Sequence, residues 1–131
     1  MLNTLKELCA LSGVSSREDE TRAFIRAQAE PYADSIRTDA MGNLIVFKKG
    51  RKATGDRLLL SAHMDEVGLM ITRVEDDGTL RFDSVGGIDR RVLMGKRVYV
   101  GPHRIPAVIG SKPIHLTTKE ERRSVPKMTE L

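Results

Sequence analysis

The sequence predicts an α/β fold: the start of a helix-covered mixed sheet, giving way near residue 67 to short strands typical of a small barrel or sandwich. Three observations predict it. Two amphipathic helical patterns precede residue 31, an unbroken apolar run stands at Leu58-Leu59-Leu60, and after Gly68 the chain turns to short strands punctuated by glycine. With 131 residues and 14.6 kDa there is room for one compact domain, or for one with part of another.

Leu2, Leu5, Leu8 and Leu11 recur at helical spacing, with Asn3 or Thr4 as cap and Gly13 as stop. Residues 4–12 therefore read as a short helix packing into a core, with Cys9 as a buried small hydrophobe. Ser15 and Ser16 each precede an acid by three residues, a capping-box start for a second helix that runs to about Glu30 and is closed by Pro31. Ser35 to Asp39 and Asn43 to Lys49 form a hairpin turning near Gly42, and Gly50 to Asp56 is an exposed loop. Leu58-Leu59-Leu60, without alternation, suggests a strand buried on both faces. Beyond it come strands at Leu69 to Val74, Thr79 to Val85, Arg97 to Val100 and Ile105 to Ile109, with a turn at Glu75-Asp76-Asp77-Gly78. Thr117-Thr118-Lys119-Glu120-Glu121 offers a capping box for a short helix ending before Pro126, with Arg122-Arg123 as its solvated face.

Composition excludes several classes. Hydrophobic residues at 40% and charged residues at 31% are globular proportions, so disorder and fibrous structure drop out. No apolar run approaches a membrane span and the N-terminus lacks the pattern of a signal peptide, so a soluble cytoplasmic protein is expected. Cys9, the single cysteine, excludes an internal disulfide and every zinc pattern built on Cys pairs. The net charge of +4 arises entirely after residue 67, where 12 basic residues face 8 acidic ones. Aromatic content of 4% and the absence of Trp leave little for stacking on bases, which disfavours nucleic-acid binding.

Chemistry concentrates in Ser61-Ala62-His63-Met64-Asp65-Glu66-Val67-Gly68, which puts a His and two carboxylates beyond the carboxyl end of the expected buried strand, the edge where α/β sheets bind ligands. A neutral imidazole suits Zn²⁺ or Co²⁺, and a carboxylate two residues on can bond the far ring nitrogen and fix the tautomer. His63 is the candidate metal ligand and Asp65 the residue that orients it. The spacing alone leaves a hydrogen-bonded structural His open. Glu66 is kept outside the metal shell, and His103 reads as an exposed turn residue.

The segment Leu58-Leu-Leu-Ser-Ala-His-Met-Asp-Glu-Val-Gly-Leu-Met-Ile71 resembles the first metal-site motif of the dinuclear-metal aminopeptidases that assemble into tetrahedral shells, the glutamyl aminopeptidase family. Leu11-Ser-Gly-Val-Ser-Ser-Arg-Glu18, Asp39-Ala-Met-Gly-Asn-Leu-Ile45, Gly86-Gly87 and Val108-Ile-Gly-Ser-Lys-Pro-Ile-His-Leu116 match in order. The resemblance implies that residues 1–67 begin the α/β catalytic domain and that 68–131 form most of an inserted β-barrel-like dimerisation domain. It implies two divalent metal ions, Zn²⁺ or Co²⁺ foremost, with His63 binding one and Asp65 orienting it in a catalytic role. It further implies that peptide substrates lose N-terminal residues to a metal-activated water and that homo-oligomers build from dimers to a dodecamer. In the family the loop carrying His115 can help form a neighbouring subunit's pocket; a structural loop His is the other reading.

Family members are much longer, and their remaining ligands and general base fall beyond Leu131, so this chain alone is expected to be inactive. The alternative is a non-catalytic β module or truncated product that acts only in protein assembly. Some relatives have been labelled cellulases, but Asp76 and Asp77 with Asp83 read as turn and strand residues rather than as a glycosidase pair.

Overall fold

The computed structural model describes residues 1–51, 55, 57–128 and 131. The chain divides into two compact units, Met1–Glu66 and Val67–Leu131.

The first unit opens with α1 (Leu2–Leu8), which buries no residue. The expected helix over 4–12 is thus shorter and displaced, and the expected core packing fails: Leu2 and Leu5 are exposed, and Cys9 lies outside the helix and is exposed too. An apolar stripe makes a core only where another element covers it.

Helix α2 (Asp19–Ala29) passes into a 3₁₀ turn, Glu30–Tyr32, with Pro31 in its first positions, close to the expected end. Its start differs from the expected capping box. Ser16 adopts a φ of 71° and its amide donates to Glu18 Oε1 (2.5 Å), so the acid folds back on the serine backbone while no side chain caps the helix. Asp19 and Glu20 in the first turn still complement the helix dipole.

Strands β1 (Ser35–Thr38) and β2 (Leu44–Phe47) form the expected antiparallel hairpin, with Ser35 opposite Phe47 and Thr38 opposite Leu44. Asp39 organises the turn: Oδ1 accepts from the amides of Met41 (3.0 Å) and Asn43 (2.9 Å), and Oδ2 accepts from Asn43 Nδ2 (2.9 Å). These donors hold the Asp39 carboxyl below its ordinary pKa, the Asn43 side chain foremost. Gly42 supplies the required φ of +86°, and its carbonyl accepts from Arg22 Nε (2.8 Å), tying the turn to α2.

The buried strand expected at Leu58-Leu59-Leu60 is absent. The run joins no sheet, and the three leucines are 88, 87 and 85% exposed. The reason is a missing partner: β1 and β2 pair only with each other, and no ladder among the described residues reaches residues 57–63. Of the loop expected at Gly50 to Asp56, residues 52–54 and 56 lie outside the described residues.

The second unit contains two antiparallel ribbons, each two strands wide: β3 (Gly68–Val74) with β4 (Leu80–Val85), and β5 (Arg97–Val100) with β6 (Ile105–Val108). A register shift between Ile71 and Arg73 bulges β3. The turn between β3 and β4 closes with Asp77 Oδ1 accepting from the Thr79 amide (2.9 Å) and hydroxyl (2.7 Å). Past the ends of β5 and β6 the pairing continues, with Gly95 N donating to Ile109 O (3.0 Å) and Ile109 N to Lys96 O (2.9 Å). Ile109 and Leu93 are the buried hydrophobic residues among those described. The expected capping box at Thr118 forms reciprocally: the Thr118 amide donates to Glu121 Oε2 (2.6 Å) and the Glu121 amide to Thr118 Oγ1 (3.1 Å), but the helix it opens is a single 3₁₀ turn, Glu121–Arg123. Among the described residues no helix is long and apolar enough to cross a membrane.

Candidate functional site

Residues 63–66 are held by the loop between α1 and α2. Val14 and Glu66 form a parallel bridge in which Ser15 N donates to Glu66 O (3.2 Å) and Glu66 N donates to Gly13 O (2.7 Å). Glu66 adds its side chain, with Oε1 accepting from Gly13 N (3.1 Å). Its carboxylate is thereby engaged in fastening the loop.

Gly13 is where the loop passes closest to its neighbours. A Cβ there would stand 2.7 Å from Thr21 Oγ1 and 3.4 Å from the Met64 carbonyl. Thr21 is itself buried, on α2. The packing thus joins the loop, the helix and the segment before Asp65, and a side chain at residue 13 would force them apart.

On this frame three side chains line up. Ser15 Oγ donates to Asp65 Oδ2 (2.5 Å), and Asp65 Oδ1 lies 3.1 Å from His63 Nδ1, with the Asp65 carbonyl 3.0 Å from the same nitrogen. The Ser15 hydroxyl, and after it the His63 ring, holds the Asp65 carboxyl below its ordinary pKa, because both bonds favour the charged form. The His63 side chain is 85% exposed. With the Asp65 carbonyl and Oδ1 both facing Nδ1, the neutral ring is set to carry its proton there and keep a lone pair on Nε2, the arrangement a ligating imidazole needs.

The sequence singled out His63 and Asp65, and the fold brings them together. It missed Ser15 and Gly13 as parts of the site, reading Ser15 as a helix cap. The signal available was the Leu11 to Glu18 segment, but its contact with Asp65 spans 50 residues and no local pattern encodes it. His103 is exposed in a turn, and His115 is exposed in the 3₁₀ turn Ile114–Leu116. Asp77 is engaged with Thr79, and Asp83 Oδ1 accepts from the Ser84 amide (2.7 Å).

The donor set bears on a metal. One imidazole and its supporting carboxylate fit one corner of a divalent site, and among the described residues no group of three or more His, Cys, Asp or Glu side chains could hold an ion. The residues present fit part of a metal site.

The sequence profile of the M42 glutamyl aminopeptidases matches residues 42–131. FrvX of Escherichia coli (strain K12), named a putative aminopeptidase, is 34% identical over 125 residues, which cover 93% of this chain and 34% of FrvX. A Thermotoga maritima structure titled as an endoglucanase is 46% identical, with a TM-score of 0.75 over 83% of this chain and 34% of its own. The TET1 peptidase of Pyrococcus horikoshii, described as assembling into a tetrahedron or a large octahedral shell, is 39% identical, with a TM-score of 0.79 over 98% of this chain and 38% of its own. The chain belongs to the M42 glutamyl aminopeptidase family. It spans about a third of the length of the curated relatives it matches.

Proposed function

We propose that this chain supplies the first third of a metal-dependent aminopeptidase, removing N-terminal residues from peptides. The unit Met1–Glu66 begins the catalytic domain. The unit Val67–Leu131 is the greater part of an inserted β-barrel-like dimerisation domain, and its two ribbons are the strands that such a barrel would close. His63 offers Nε2 to one of two divalent ions, Zn²⁺ or Co²⁺, and Asp65 holds the ring in the ligating tautomer. The single observation that carries this is the placement of the Asp65 carbonyl and Oδ1 at 3.0 and 3.1 Å from His63 Nδ1.

When bound, such ions polarise the scissile carbonyl and lower the pKa of a water. On this reading the chain's own residues orient one ligand while the general base lies in the remaining two-thirds of the enzyme, so the chain alone is inactive. Oligomers built from dimers, up to a dodecamer, and a cytoplasmic location belong to the same reading. The assembled shells described for the P. horikoshii relative support the oligomeric part.

A non-catalytic assembly module is the second reading, favoured by the lack of a three-ligand cluster among the described residues. A glycosidase reading, which the likeness to the Thermotoga maritima endoglucanase raises, finds no support in Asp77 or Asp83, whose carboxylates serve their own turn and strand. The experiment is His63→Ala in the enzyme completed with the rest of the family's length. Metal content is expected to drop and turnover to fall at least about 100-fold. Unchanged metal content and turnover refute the assignment.

A further inference from the structure

We propose that Ser15 is a positioning residue for His63, acting through Asp65; the inference rests on the reading of His63 as a metal ligand and extends it to a residue from the other end of the unit. Asp65 has two carboxylate oxygens and divides them. Oδ2 accepts from Ser15 Oγ (2.5 Å) and Oδ1 faces His63 Nδ1 (3.1 Å). A half-buried aspartate can still rotate between rotamers, and a hydroxyl fixed on one oxygen removes that freedom. The Asp65 carbonyl is the second acceptor on Nδ1, so both groups that set the imidazole tautomer belong to the residue Ser15 holds.

Ser15 is itself well placed for this task. Its amide donates to Glu66 O, and the nearby Gly13 carbonyl accepts from Glu66 N, so the serine backbone is registered against Asp65 independently of its hydroxyl. Removing the hydroxyl leaves that main-chain bridge intact. The positioning and structural contributions of Ser15 are therefore separable.

The test is nitrogen NMR of the imidazoles in the 131-residue chain at about pH 8.5, where histidine is neutral, with His63 assigned by its loss in His63→Ala. In the unsubstituted chain His63 is expected mainly as the Nδ1–H tautomer. Ser15→Ala is expected to shift the population toward Nε2–H while the two amides that make the bridge, those of residue 15 and Glu66, stay protected from hydrogen exchange, and Ser15→Thr to restore it. Zinc chloride titrated against the same signals is expected to perturb Nε2, with half-saturation about tenfold higher in Ser15→Ala. A His63 already Nε2–H in the unsubstituted chain overturns the proposal without any variant, as does an unchanged tautomer in Ser15→Ala. A tautomer that follows Ser15 while zinc leaves Nε2 untouched supports the relay, and the metal reading is then decided separately by His63→Ala in the completed enzyme, because this chain holds one corner of the site.

Discussion

A carboxylate gains meaning from what donates to it, and Asp65, Glu66 and Asp89 illustrate three uses. Asp65 orients a ring, Glu66 fastens a loop, and Asp89 caps the 3₁₀ turn Arg90–Val92 while gripping the Arg91 guanidinium through both oxygens. That grip, the side-chain bond from Arg91 first, lowers the Asp89 pKa to about 2. A group depressed from 3.8 to about 2 contributes stability that is fully present above pH 4 and lost as pH falls through 2. Carboxyl NMR of Asp89 is expected to titrate well below the ordinary aspartate range, and Arg91→Gln to raise it part of the way back, because the residue-91 amide still donates to Oδ1. Gly13 gives a second prediction at this scale. Because a Cβ would approach Thr21 Oγ1 to 2.7 Å, Gly13→Ala is expected to destabilise the first unit by about 1–3 kcal/mol in denaturant unfolding. An unchanged midpoint would mean that the loop does not pack on α2 as described.

Among elements, the hairpins were legible and the apolar run was not. Gly42 and Gly78, each with positive φ in a turn between strand-forming segments, announced β1–β2 and β3–β4 to within a residue or two. Leu58-Leu59-Leu60 announced a buried strand, but a strand is a relation between segments, and its propensity forms nothing until an edge is offered. His63 and Asp65 were legible because they are neighbours in sequence. Ser15 was not, since its local pattern fits a cap equally well and only the bridge at Val14–Glu66 decides between the two. The turn at Gly42 carries its own prediction. Gly42→Ala places a methyl in a left-handed conformation and 3.0 Å from Arg22 Nη2, and is expected to cost about 1–2 kcal/mol. Arg22→Ala loses the bond to the Gly42 carbonyl, at about 1.5 kcal/mol. The double variant is expected to cost less than the sum, because the contact exists only when both side chains are present; strict additivity in thermal melts would contradict the described coupling.

At the scale of the molecule, surface is the dominant fact. The accessible area is 11381 Å², whereas two separate compact bodies of half this mass would expose only about 8,300 Å² together. Leu58, Leu59 and Leu60 and exposed apolar side chains of α1, β2 and β3 contribute to the excess. Bare apolar faces and unpaired strand edges favour association. The isolated chain is expected to sediment as a concentration-dependent oligomer and to bind an apolar dye, and a monomer with one sharp calorimetric transition would contradict this.

We propose that these residues begin a metal aminopeptidase and that His63 holds one of its metal ions. The most direct measurement mixes this chain with a separately prepared remaining two-thirds of an M42 aminopeptidase, in Zn²⁺ or Co²⁺, and follows release of N-terminal residues from a peptide. Metal-dependent activity is expected with the unsubstituted chain and not with His63→Ala. Equal activity from both would contradict the claim, and so would no activity from a mixture shown by sedimentation to have assembled.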